Sequence, residues 1–159
     1  MKKLGHFVPF LLLLLVVFAA SCNTQKVDIG SLQVQNLSGE TVELNEVGGK
    51  VMLLNFWATW CGPCVAEKPK LAVLQKILAP KGYEFVMVSD ENIDKIRTYA
   101  QRHSYGFRYL KSMKSIKLYG VFSIPQTYIV KNGKVVATFN GGQDWTDPTM
   151  IQLLEDFLK

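Results

Sequence analysis

Two cysteines separated by two residues, Cys61 and Cys64 in the stretch Trp60-Cys61-Gly62-Pro63-Cys64, are the side chains of this 159-residue chain best suited to chemistry. A pair at this spacing can hold a metal, staple a turn, or open and close as a disulfide. A zinc site needs two more ligands, and apart from Cys22 and residues near the start the chain offers only His103, so no metal is expected. A structural disulfide closing so short a loop adds little stability. A peroxidase built on one reactive cysteine would carry Thr three residues before it, where Ala58 stands. Dithiol–disulfide exchange fits best. It needs no cofactor beyond the redox-active Cys61–Cys64 disulfide itself.

That chemistry depends on where the pair sits. Val51-Met52-Leu53-Leu54-Asn55-Phe56-Trp57 is an apolar run with one polar interruption, as in a strand buried on both faces. A helix is expected just after it: Pro63 suits a first turn, apolar residues recur at Val65, Leu71, Leu74, Ile77 and Leu78, and Pro80-Lys81-Gly82 ends the pattern. Pro69 inside it predicts a kink. The cysteines then lie at a helix N-terminus, where unpaired N–H groups and partial positive charge favour a thiolate. Cys61 would be the outermost, attacking thiol. Cys64, three residues further on the same face, would be shielded and would resolve the mixed disulfide.

The remaining elements follow from patterning. Residues 32–44 alternate around Ser38-Gly39 and read as an N-terminal β-hairpin, closed by Gly48-Gly49. Residues 83–89 form a second buried strand. Asp90 is expected to cap a helix whose inner face holds Ile93, Ile96 and Ala100. A short strand over 107–110 precedes a turn of helix near Ile116 and Leu118. Residues 127–130 and 134–139 flank Asn132-Gly133, a hairpin signal. Asp147-Pro148 opens a last helix, with Trp145 before it as packing. The order predicts an α/β fold: one domain, with a central mixed β-sheet and helices on both faces.

The start of the chain reads differently. Lys2 and Lys3 precede an apolar run from Phe7 to Ala20, short for a membrane span and followed by small residues, which is the form of a secretory signal. It ends Ala19-Ala20-Ser21-Cys22. This resembles the lipobox of bacterial lipoproteins, although Ala19 stands where Leu is usual. The resemblance implies lipidation of Cys22 and an odd cysteine explained. Residues 1–21 are therefore expected to be the signal peptide, 22–30 a polar tether and 31–159 the folded domain. The chain has 18 basic and 13 acidic residues, and two of the lysines belong to the signal. The remaining positives, Lys68 and Lys70 among them, are scattered and read as solvated faces, so nucleic acid is not an expected partner. His103 reads as a surface residue at a helix end.

Asn55-Phe56-Trp57-Ala58-Thr59-Trp60-Cys61-Gly62-Pro63-Cys64, followed by Glu67 and Pro69, resembles the thioredoxin superfamily, and most of all its extracytoplasmic TlpA/ResA-like branch. Gly120-Val121-Phe122-Ser123-Ile124-Pro125-Gln126-Thr127 continues the likeness, which spans Leu32 to Lys159. The resemblance implies a thioredoxin-like fold and exchange with the thiols and disulfides of exported proteins, as in the reduction of apocytochrome c or the repair of wrong disulfides. It implies a membrane electron donor and a monomer on a lipid anchor at the extracytoplasmic face. Pro125 matches the family's cis-proline, which would present the Ile124 backbone to an extended client. Trp60, Gly62 and Pro63 would line the client surface, with Trp57 packing beneath the helix. Cytosolic thioredoxins carry a buried aspartate where this chain has Asn55, and asparagine cannot take a proton. The branch carries a glutamate at the place of Glu67, which lies at i+3 from Cys64 and would act as acid–base group, unless it is a surface residue pairing with Lys68 or Lys70. The Gly-Pro pair between the cysteines resembles reductants. A non-catalytic, lipid-anchored scaffold binding partners through Ile124–Pro125 is the alternative.

Overall fold

The computed structural model describes Val27, residues 29–44 and residues 50–159. The signal sequence, Cys22 and Gly48-Gly49 lie outside the described residues. Seven strands form one sheet: β1 (Val34–Gln35), β2 (Thr41–Val42), β3 (Val51–Phe56), β4 (Tyr83–Ser89), β5 (Arg108–Ser112), β6 (Gln126–Lys131) and β7 (Lys134–Asn140). Their spatial order is β2-β1-β5-β4-β3-β6-β7. β3, β4 and β5 run parallel, joined by α1 (Gly62–Leu78) and α2 (Ile93–His103); the other pairings are antiparallel. α3 (Pro148–Asp156) follows β7.

β3 is central and buried at all six positions, as its apolar run predicts. Its side chains alternate between two cores, because successive strand residues point to opposite faces. Val51, Leu53 and Trp57 join one core with Leu71, Leu74 and Leu78 of α1, Ile96 and Tyr99 of α2 and Leu154 of α3. Met52, Leu54 and Phe56 join the other with Val86, Val88 and Leu110. All three α-helices therefore pack on one face, where helices had been expected on both. The second face is covered by Val27, Leu32 and two single-turn 3₁₀ helices, Ile29–Ser31 and Ile116–Tyr119. The reason is topological. β3 to β4 and β4 to β5 step across the sheet in the same direction, and crossovers of one hand then place α1 and α2 on one side. Burial of Val27 and Ile29 also moves the start of the packed domain into the segment read as tether.

Local signals hold at several ends. The first hairpin turns at 36–40, where Asn36 Oδ1 accepts the N–H groups of Ser38 and Glu40. Asn132 and Gly133 both have positive φ, 52° and 71°, the type I′ geometry that matches strand twist. Asp147 caps α3 by accepting from Thr149 N and Met150 N. The cap of α2 differs from expectation: Asn92 accepts from Asp94 N, while Asp90 accepts from Ile116 N at 3.1 Å and so ties β4 to the second-face 3₁₀ turn. α2 buries Tyr99 beside Ile96. α1 continues through Pro69 as one helix, with that proline on its exposed side.

Candidate active site

β3 delivers the chain to the sheet's end, and residues 57–61 turn it into α1. Glu91 pins this turn: its carboxylate accepts from Thr59 N at 2.6 Å and from Thr59 Oγ1 at 2.8 Å. Cys61 is the residue that caps α1, its Sγ accepting from Cys64 N at 3.3 Å. The sulfur thus faces the helix's unpaired N–H groups, where negative charge is favoured. Cys61 and Cys64 are joined as a disulfide, with Cα atoms 5.3 Å apart. Cys61 is 5% exposed and Cys64 fully buried. The outer position of Cys61 is as expected, though it is far less open than a residue beyond the first turn would be.

The surface around Cys61 is apolar. Trp60 is 73% exposed and Phe122 71%. Between them a cleft of ≈360 Å³ is lined by Ile116, Val121 and Ile124, with Asp90 and Lys117 at its edge. The Ile124–Pro125 bond is cis. The Ile124 carbonyl lies 3.7 Å from Cys61 Sγ, within reach of a reduced Cys61 thiol. Gly62 and Pro63 are exposed, and a side chain at Gly62 would project into open space beside Cys61. The structure therefore groups Trp60, Gly62, Pro63, Ile124 and Pro125 around the disulfide.

Beneath the cysteines the environment changes. Glu67 is 4% exposed, which removes the surface-residue alternative. Its Oε1 accepts from Asn55 Nδ2 at 2.9 Å, and its Oε2 from Trp145 Nε1 at 2.9 Å and Gln143 N at 3.3 Å. Burial pushes the Glu67 carboxyl above its ordinary value, while the donors from Trp145, Gln143 and Asn55 pull the other way. Asn55 also donates to Thr127 Oγ1 at 2.9 Å, its cross-strand neighbour on β6. Trp145 does more than pack, because its indole N–H anchors the carboxylate.

Lys68 reverses an expectation outright. Read as a solvated lysine, it is fully buried. Its Nζ stands 4.0 Å from the Trp57 ring centre and 3.7 Å from Met87 Sδ on β4. Helical spacing carried the signal: position 68 lies four residues after Cys64 and three before Leu71, on the inner stripe. Residue type argued against it, since lysine is almost never fully buried. Trp145 and Thr127 were beyond sequence reasoning, being 78 and 72 residues from their partners Glu67 and Asn55. Lys70 is exposed and pairs with Asp144 at 3.1 Å. His103 is exposed, stacked against Tyr105.

Comparison with known proteins agrees with this geometry. Residues 26–138 match the AhpC/TSA family. The chain is 32% identical over 143 residues to the thiol-disulfide oxidoreductase ResA of Bacillus thuringiensis subsp. konkukian, covering 85% of this chain and 79% of that one. It is 38% identical over 114 residues to the thioredoxin-like protein YneN of Bacillus subtilis, covering 69% and 66%. Among solved structures, a candidate thiol:disulfide interchange protein DsbE from Chlorobium tepidum superposes with a TM-score of 0.71 at 25% identity, over 84% of this chain and 98% of the other.

Proposed function

The chain belongs to the AhpC/TSA family and is a thiol-disulfide oxidoreductase, and from that premise we propose that it reduces disulfides of exported proteins from a lipid anchor at Cys22. The observation that carries the chemistry is the Cys61–Cys64 pair at the α1 N-terminus, with an apolar cleft outside and a buried carboxylate beneath. In the reduced enzyme, the Cys61 thiolate attacks a client disulfide. A Cys61–client S–S bond forms, the client's own S–S bond breaks, and one client sulfur leaves as a thiolate that takes a proton from water. Cys64 then loses its proton to Glu67, directly or through water, and attacks Cys61 Sγ. The Cys61–Cys64 bond forms and the second client thiolate is released. The enzyme gives up two electrons, and the client disulfide becomes two thiols.

The site favours an extended client. Trp60, Phe122 and Ile124 offer apolar contact, and the Ile124 backbone lies beside the sulfur a client must reach. Haem-attachment segments of apocytochrome c and wrongly paired exported proteins are clients of this kind. Asn55 serves Glu67 in both protonation states. As placed, its amide donates to a carboxylate; turned over, its oxygen accepts from the protonated acid. Electrons return from a membrane donor. No helix among the described residues is long and apolar enough to cross a membrane, so membrane attachment rests on Cys22 and the apolar run before it.

Insulin-disulfide reduction by wild type and by Cys61→Ser tests the enzymatic reading: turnover in the wild type alone is expected, and equal rates would return the protein to a binding scaffold. Mass spectrometry of membrane-extracted protein tests the anchor. An acylated N-terminal cysteine at position 22 is expected, and an unmodified Cys22 in a protein free of membrane would end that part of the reading.

A further inference from the structure

Lys68 has no place in the exchange steps above, yet it is the costliest side chain in the helix-side core. A buried ammonium loses most of its hydration, and this one has weak compensation: a sulfur at 3.7 Å and an aromatic face at 4.0 Å. Among the described residues no carboxylate stands within ion-pair distance of it. A methionine would fill similar volume without that cost. A polar group kept where an apolar one would serve folding better points to function.

Its position says which function. Cys64, Glu67 and Lys68 stand at i, i+3 and i+4 of α1, so both charged side chains lie one turn below the resolving cysteine. They diverge from there. Glu67 reaches toward β6 and the segment before α3, through Asn55, Gln143 and Trp145. Lys68 reaches toward β4 and the Trp57 ring. We propose that Lys68 is a positioning residue of the dithiol centre, whose positive charge holds Glu67 as the carboxylate that accepts the Cys64 proton. This rests on the reading of Glu67 as the acid–base group.

The charges facing this pair are few. On α1 they are Glu67 and the two cysteines. Tyr99 of α2 and Tyr109 of β5 reach the same Trp57 ring, with centroid distances of 4.7 and 5.6 Å. Burial pushes Tyr99 up to about 12 and Tyr109 higher still, so both stay neutral through the working range. β4 presents Met87. Outside Tyr99 is His103, ring centres 4.3 Å apart, exposed at the end of α2. Burial lowers the Lys68 amine to about 7, opposed by the negative charge of Glu67. Lys68 is therefore charged below neutrality, and there its charge favours the ionised form of Glu67 against the burial that disfavours it. Above that pH the charge is lost, and its help with it.

The probe is 5,5′-dithiobis(2-nitrobenzoate) with the reduced full chain. The first thionitrobenzoate released reports attack by Cys61, and the second reports resolution by Cys64. Lys68→Met should move the pH midpoint of the second release upward, by about 0.3 unit, which slows it roughly twofold below the midpoint. The Lys68→Met and wild-type rates should converge above pH 8. Lys68→Gln should behave as Lys68→Met does, because neither carries charge. In a Glu67→Gln background, adding Lys68→Met should cause no further shift. A folded Lys68→Met protein whose second-release profile overlays wild type overturns the role of Lys68, even where Glu67→Gln alone shifts the profile. A Lys68→Met shift that persists undiminished without Glu67 overturns it too, since the charge would then act on the cysteine directly. Glu67→Gln overlaying wild type would remove the acid–base reading itself, and this proposal with it.

Discussion

The two faces of β3 are built from one strand and share almost no chemistry. Toward the second face it presents Met52, Leu54 and Phe56 into a core of apolar and aromatic side chains, with the buried Ser112 of β5 at its margin. Toward the helices it presents Val51 and Leu53, then breaks the apolar pattern at Asn55, two residues before Trp57. The break coincides with three other buried polar side chains, Glu67, Lys68 and Thr127. These four gather around α1 and β3 on the helix side, where Ser89 at the end of β4 is buried as well. One face holds no buried charge among the described residues; the other accepts a carboxylate and an amine one helical turn below Cys64.

The sharpest break in the comparison is at the sulfurs. Cys61→Ser should abolish insulin reduction and form no client adduct, whereas Cys64→Ser should accumulate a mixed disulfide on Cys61, since nothing remains to resolve it. Trapping of clients on Cys64 in the Cys61→Ser protein would reverse the two roles. The next effect belongs to the plain face. Leu54→Ala should cost about 2–5 kcal/mol in urea unfolding by leaving a cavity. It should leave the pH profile of exchange where it was. A shifted profile would mean that the second face communicates with the site.

Lys68→Met should do the reverse and gain stability. The unfolded chain holds the Lys68 proton up to the ordinary 10.5, the folded one only to about 7. Between those values folding releases a proton, so wild-type stability rises with pH there; below 7 the cost of the buried charge is present in full. The variant's advantage should therefore be largest below pH 7, on the order of a few kcal/mol, and should fade toward 10.5. Urea midpoints at pH 6 and pH 9 check it, and an advantage independent of pH would mean that Lys68 keeps its proton when buried, its amine not lowered at all. Smallest is Trp145→Phe. It removes the indole donor at 2.9 Å from Glu67 and should raise that carboxyl further, slowing Cys64 resolution a few-fold at acidic pH. Unchanged kinetics with lowered stability would leave Trp145 as packing alone.

How much of this was legible beforehand depends on the range of the interaction. The Cys61–Cys64 pair, the strand before it, the helix after it, both hairpins and the Asp147 cap were readable because each is written within a few neighbouring residues. Asn132-Gly133 needs only its own φ angles, and Cys61 as helix cap needs only the helix that follows. Glu67 could be placed at i+3 from Cys64 by helical spacing, but not as buried, because burial depends on what β6 and the segment before α3 bring over it.

Sequence by itself therefore determined the reactive pair, its seat at a helix N-terminus and the order of elements. Tertiary structure alone decided that the three α-helices share one face, that Val27 and Ile29 cover the other, and that Trp145 meets Glu67 across 78 residues. It also decided that Lys68 is sealed in. Local preference is set by the chain's own neighbours, and a lysine prefers water. Only closure of the α1 inner stripe onto β4 and Trp57 excludes that water, and the rest of the core supplies the burial energy that makes this closure possible.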